Sequence, residues 1–304
     1  MSFCSRVKRQ IVKSAATNGC CMRAETYGLL LFSHLLVKKK HAFKTEVSEA
    51  AHLMAERIAA CCGVFVDIEE EPTLDGSGIL YSVAVPNPAQ RAQVLDSFGM
   101  TEEDAEHIDA GLIENDCCRE AFIRGAFLAC GSMTDPEKDY HAEFTAHSES
   151  LCNELCGVLR QYDIKCNTSA RRRSNCVYIK DGDSLEALLA LFSAGDAYYE
   201  FVKLRIYKEA MNNANRMFNC DSANISKTVN AAQEQIAAIK RIDSAVGLDS
   251  LPAELREIAL LRMEYSEESL RGLGELLDPP LSRSGVNHRM QRLLELDPGA
   301  KEEK

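Results

Sequence analysis

The sequence predicts an α+β protein in which a pseudo-two-fold N-terminal domain is joined by helices to an all-α helix-turn-helix domain. Three observations carry this. The first two-thirds of the chain repeats one order of helices and strands. From Asp196 the chain turns helical, polar and rich in asparagine. Near the C-terminus, Ser266 to Leu277, then Asp278-Pro-Pro-Leu, then Ser282 to Leu294 read as a helix, a sharp turn and a second helix.

The first half-repeat opens with the apolar helix Ala24-Glu-Thr-Tyr-Gly-Leu-Leu-Leu-Phe-Ser-His-Leu-Leu. A strand at 41–47, a helix at 48–62 and strands at 64–69 and 79–85 follow. The second opens with Cys118-Arg-Glu-Ala-Phe-Ile-Arg-Gly-Ala-Phe-Leu-Ala-Cys-Gly-Ser. It continues through a strand at 140–146, a helix at 148–162, strands at 164–169 and 176–180, and a helix at 184–192. Gly28 and Gly125 hold the same place in the two copies. Small residues let helix backbones approach closely, so these two helices are expected to pack together at a dyad. The domains read as an N-terminal helix (1–22), two half-repeats (about 23–98 and 117–195, within 23–195), a helical linker (196–247) and the helix-turn-helix domain (248–304). A helix pair broken at Asn219-Cys-Asp-Ser is expected in the linker, since asparagine favours caps and turns.

The net charge of −11 and 46% hydrophobic content describe an acidic globular protein. No apolar run approaches the roughly 20 residues that span a bilayer, and the first residues lack a signal-peptide pattern. A soluble, cytoplasmic protein follows, with no membrane partner and no small-molecule substrate. Thirteen cysteines include the pairs Cys20-Cys21, Cys61-Cys62 and Cys117-Cys118. None forms a C-x-x-C knuckle, so no metal and no cofactor is expected, and the thiols read as small buried hydrophobes of a reducing compartment.

The last helix carries three arginines and no acid between Ser282 and Leu294. On a helical wheel Val286, Met290, Leu293 and Leu294 share the core face. Ser284, His288 and Gln291 lie opposite, with Asn287 and Arg292 flanking them. That is the pattern of a recognition helix, with Ser284, Asn287 and His288 towards base edges and Arg283, Arg289 and Arg292 on phosphates. Ser282 is its expected cap, and Ser266 that of the preceding helix. Secondary DNA contacts are placed on the hairpin Arg171-Arg172-Arg173 and on Arg216 and Lys227 of the linker. Lys38-Lys-Lys40 is a comparable basic run in the first half. Glu69-Glu-Glu71 and the segment 101–109 are acidic and repel phosphate.

The repeat with its small-residue helices resembles the LAGLIDADG homing-endonuclease fold, in which two curved sheets saddle DNA. That fold holds divalent metal on one carboxylate per helix, and the alignment puts Ser33 and Cys130 there. Serine is a weak ligand for magnesium and cysteine too soft, so no catalytic residue is assigned. Asn212, Asn215-Arg216, Asn219-Cys-Asp-Ser-Ala-Asn224, Lys227-Thr, Ala231-Ala and Gln235-Ile resemble the signature of the WhiA family of sporulation and cell-division transcription regulators. Gly125-Ala-Phe-Leu-Ala, Tyr140-His, Tyr178-Ile-Lys-Asp, Leu251-Pro and Ser282-Arg-Ser-Gly-Val-Asn-His-Arg extend the resemblance over nearly the whole chain. Met211 and Cys130 depart from it, standing where arginine and glycine are usual. The resemblance implies a degenerate nuclease scaffold, a DNA-reading C-terminal domain, and links to cell division, chromosome segregation and sporulation. The alternatives are a metal-dependent endonuclease, or an interaction scaffold for the transcription or division machinery.

Overall fold

Two helices whose crossing point is glycine on both sides organise the N-terminal part of the computed structural model. It describes residues 1–33, 35, 42–73, 76, 78–85, 87–101, 104–171 and 174–298. Helix α1 (Phe3–Lys13) is capped by the Ser2 hydroxyl and buries Phe3, Val7 and Ile11. Helix α2 (Gly19–Phe32) follows it. Then come β1 (Ala42–Thr45), α3 (Ser48–Cys62), β2 (Ile68–Pro72), β3 (Ile79–Ala84) and α4 (Pro88–Ser97). Helix α5 (Asp116–Cys130) opens the second copy. It leads through β4 (Gly131–Met133), β5 (Ala142–Ala146), α6 (Glu149–Arg160), β6 (Asn167–Arg171), β7 (Ser174–Ile179) and α7 (Gly182–Leu191).

The two antiparallel sheets run β1-β3-β2 and β4-β5-β7-β6. Leaving out β4, both place the first strand beside the third and the third beside the second, so the repeat predicted from sequence is present in the topology. Phe43 sits opposite Val83 in one sheet and Phe144 opposite Val177 in the other; all four are buried. The strands expected at 64–69 and 164–169 lie later in the chain, at Ile68–Pro72 and Asn167–Arg171. Val64 and Ile164 are fully buried, but as anchors of the connection after a helix. Apolar runs locate burial, and pairing begins only where the partner strand reaches.

Helices α2 and α5 pack along their lengths around the two glycines. A Cβ on Gly28 would meet the Phe122 carbonyl oxygen and lie 3.0 Å from the Ala126 nitrogen. One on Gly125 would meet the Glu25 carbonyl oxygen and lie 3.0 Å from the Leu29 nitrogen. Backbone thus touches backbone in a reciprocal pair of contacts that only glycine permits. Tyr27 and Phe32 of α2 flank the crossing, their rings 5.5 and 6.0 Å from that of Phe122. The Tyr27 hydroxyl donates to the His107 carbonyl (3.2 Å) and accepts from the Asp109 amide (2.8 Å), which pins the connection between the copies.

Glu25, fully buried on α2, is paired with Arg57 of α3 at 2.7 Å. Arg57 also donates to the Ala16 carbonyl at 2.7 Å. Burial raises the Glu25 pKa while Arg57 opposes the rise. The pair fixes α3 against α2 through interactions that a buried charge cannot replace with water.

The expected broken linker is instead one helix, α8 (Gly195–Val246), of 52 residues. No proline or glycine interrupts 196–246, and each asparagine costs a helix only a few tenths of a kcal/mol, about 0.7 at most. Gly247, at φ +75°, ends it. The chain divides into compact units at Met1–Lys208 and Glu209–Lys304, inside α8. Ile239 and Ile242 of α8, in the segment read as linker, pack in the C-terminal core. Apolar spacing alone cannot assign a helix to one core or another.

Alanine at Gly28 or Gly125 forces the α2–α5 backbones apart and is expected to cost about 3 kcal/mol or more. Gly157, inside α6 with open space around its Cα, is the control: alanine there is expected to stabilise by about 0.5–1 kcal/mol. Equilibrium urea unfolding of the three variants tests the contrast.

Candidate nucleic-acid interface

The C-terminal unit places α9 (Ala253–Glu264), α10 (Leu270–Glu275) and α11 (Arg283–Glu295) beside the C-terminal part of α8. Leu255, Ile258 and Ala259 of α9, Leu273 of α10, and Val286, Met290 and Leu293 of α11 are buried together with Ile239 and Ile242. The core face expected of the last helix is the one observed, except that Leu294 is only half buried. Ser282 caps α11, its hydroxyl accepting from the Gly285 amide at 3.3 Å.

Helix α10 begins later than expected. Ser269, not Ser266, caps it by accepting from the Gly272 amide at 3.1 Å. The buried Arg262 donates to the Glu268 carbonyl at 2.6 Å, holding 266–268 out of the helix. The turn into α11 closes through the Leu281 amide, 2.9 Å from the Gly274 carbonyl. A Cβ on Gly274 would collide with the Leu281 carbonyl oxygen, so glycine is required where α10 and the turn meet.

Arg283, Ser284, Asn287, His288 and Gln291 are all exposed on one side of α11. Arg289 and Arg292 are placed differently. Both point to α9, where Arg289 pairs with Glu257 at 3.6 Å and Arg292 with Glu254 at 2.5 Å. Their positions on the wheel flank the core, and spacing within α11 does not reveal that α9 offers acids to them. Arg283 has no such ion pair among the described residues.

A groove of about 710 Å³ runs along the other flank. Asn224, Lys227 and Thr228 of α8 line it, with Arg271, Arg283 and Asn287 opposite. No acid is among its lining residues, which makes it a local cationic surface on an acidic chain. Asn224, Lys227, Ala231 and Gln235 recur every three or four residues, so one face of α8 supplies one wall. Arg216 is exposed on α8 outside this lining. Of the hairpin, Arg172 and Arg173 lie outside the described residues, as do Lys38 to Lys40, and Arg171 is described only as the last residue of β6.

At the positions of the nuclease carboxylates, Ser33 is buried and its hydroxyl donates to the Leu30 carbonyl at 3.0 Å. The Cys130 thiol donates to the Ala126 carbonyl at 3.2 Å, and burial pushes its pKa up to about 12. A cation already stands nearby: the Lys8 ammonium donates to the Leu128 carbonyl of α5 at 3.2 Å. A neutral thiol beside an ammonium does not attract a divalent metal. Asp135, Glu137 and Asp139 do not converge on the site; among the described residues, three or more potential metal ligands gather only at Cys20, Cys21, Cys117 and Cys118. Reading for knuckles missed that group. The signal was present in the repeat, because each pair begins eight residues before its glycine, Gly28 or Gly125.

Comparison with known proteins agrees with this geometry. Residues 119–211 match the model of the WhiA LAGLIDADG-like domain, and residues 214–297 that of the WhiA C-terminal helix-turn-helix domain. A protein of Alkaliphilus metalliredigens named as a probable cell division protein WhiA is 34% identical, over 96% of both chains. Its counterpart in Clostridium botulinum is 36% identical, over 96% of both chains. The crystal structure of full-length WhiA from Thermotoga maritima shares the fold, with a TM-score of 0.57 at 23% identity over 98% of each chain. No helix among the described residues is long and apolar enough to cross a membrane.

Gly274→Ala is expected to destabilise the C-terminal unit by about 2–3 kcal/mol. Hydrogen exchange should then lose protection in α10 and α11 while α2 and α5 keep theirs.

Proposed function

Because the chain belongs to the WhiA family, we propose that it binds double-stranded DNA as a regulator of cell division, reading sequence with α11 and its groove. The observation that carries this is the acid-free groove joining Lys227, Arg271, Arg283 and Asn287 on a chain of net charge −11. Phosphates are drawn to such a local surface, and the exposed Asn287, His288 and Gln291 offer donors and acceptors of the kind that read base edges. Ser284 is a weaker reader, since its hydroxyl lies 3.0 Å from that of the cap Ser282. Arg283 takes the main phosphate role on α11. Arg289 and Arg292 orient the helix on α9 through Glu257 and Glu254.

The regulated genes are those of cell division, chromosome segregation and sporulation-type development, and the protein works at the nucleoid in the cytoplasm. The N-terminal domain acts without cleaving DNA. Ser33 and Cys130 leave it no carboxylate pair to hold two metal ions. The exposed Glu69 to Glu71 lie on β2, an edge strand, and disfavour phosphate there. A basic segment of the transcription or division machinery fits that edge better than a duplex does.

Two measurements test this. In mobility shifts on fragments recovered by chromatin immunoprecipitation, Arg283→Ala and Asn287→Ala are each expected to weaken binding by about 1–3 kcal/mol. Arg289→Ala is expected to act less. Unchanged binding by the first two sinks the assignment of this surface. Plasmid DNA incubated with magnesium or manganese is expected to remain uncut, and site-specific cleavage would restore the enzyme reading.

A further inference from the structure

Helices α2 and α5 each begin with a cysteine pair in the first turn: Cys20-Cys21 after Gly19, and Cys117-Cys118 after Asp116. The sequence separates the pairs widely, but the dyad brings the two helix starts together. All four sulfurs lie within 4.8 Å of one another, and those of Cys20 and Cys21 are 3.8 Å apart. A tetrahedral zinc with Zn–S bonds of about 2.3 Å holds its sulfurs about 3.8 Å apart. We propose that these four cysteines form a structural tetrathiolate site for a single zinc-type divalent cation, stapling the two half-repeats at the start of their shared helix pair.

Four points of chemistry support the donor set. Thiolate sulfur is the soft ligand that favours zinc over magnesium or calcium. Both helix N-termini direct their partial positive charge at the sulfurs and so stabilise thiolate. Cys21 and Cys118 are buried while Cys20 and Cys117 are exposed, so the ion has rigid inner ligands and a route in from solvent. The sulfurs also converge on one point, which suits one ion; an iron–sulfur cluster spreads its thiolates over several irons.

A hydrogen bond from Cys118 lowers the pKa of Cys20, whereas burial raises those of Cys21, to about 12, and Cys118. Binding of M²⁺ to the four thiols displaces their four protons to solvent, each S–H bond being exchanged for an M–S bond. Affinity consequently falls as pH falls.

The test uses the full chain, purified under reducing conditions without chelator or metal-affinity resin. Elemental analysis by plasma mass spectrometry is expected to find about one zinc per chain. Replacing it with cobalt(II) is expected to give sulfur-to-cobalt charge transfer and the intense red-region bands of a tetrahedral thiolate site. Cys20→Ser/Cys117→Ser alters the two exposed ligands and is expected to lose the metal and the spectrum while keeping its circular dichroism. Cys61→Ser, in the pair on α3, is expected to keep both. Wild-type protein with neither stoichiometric zinc nor a cobalt–thiolate spectrum overturns the proposal. So does a double variant that retains a full equivalent, or a disulfide between the pairs in protein whose thiols were blocked at lysis.

Discussion

The contact of α2 backbone with α5 backbone at Gly28 and Gly125 is the constraint on which the N-terminal unit depends. Each glycine faces a carbonyl of the other helix, so neither helix can turn or slide without a clash or a gap. The flanking residues then have little freedom: Tyr27, Phe32 and Phe122 fill the space beside the crossing, and the buried Glu25 is held by Arg57 and the Ala16 amide. The sheets inherit the dyad from the helices, which explains why both halves build the same strand order from different sequences.

That geometry also separates scaffold from chemistry. The helix ends where an endonuclease keeps carboxylates carry here a serine bonded to its own helix and a neutral, half-buried thiol. At the opposite ends of the same helices, four sulfurs meet. Close packing was retained along the axis, while the groups at its two ends are free to differ, since neither end contributes to the glycine contact.

What was legible in the sequence was what is local. The cap at Ser282, the core stripe of α11 and the equivalence of Gly28 with Gly125 follow from spacing within single elements. Three features depended on more than the spacing within one short element and were read differently. The continuity of α8 hinges on the absence of a breaker across 196–246, which outweighs several mildly unfavourable asparagines. Ser266 lost the cap because Arg262, buried a turn earlier, holds the Glu268 carbonyl. The pairing of Arg289 and Arg292 with Glu257 and Glu254 involves a helix whose facing side no wheel of α11 reveals. The cysteine pairs show the same principle in reverse: unremarkable singly, they become a coordination set only once the dyad is applied to them.

The pairing of two of the three α11 arginines with α9 has a bearing on how ionic conditions govern a bound duplex. A cation already neutralised within the protein displaces few condensed counterions from DNA, so under the proposed binding mode the electrolyte-sensitive part of the affinity would rest on a small set of side chains in the groove. Attraction at a distance would then be modest, and discrimination between sites would fall chiefly to hydrogen bonds made at contact. Such a protein would hold its chosen sites through swings in cellular potassium that strip more heavily charged binders from the chromosome.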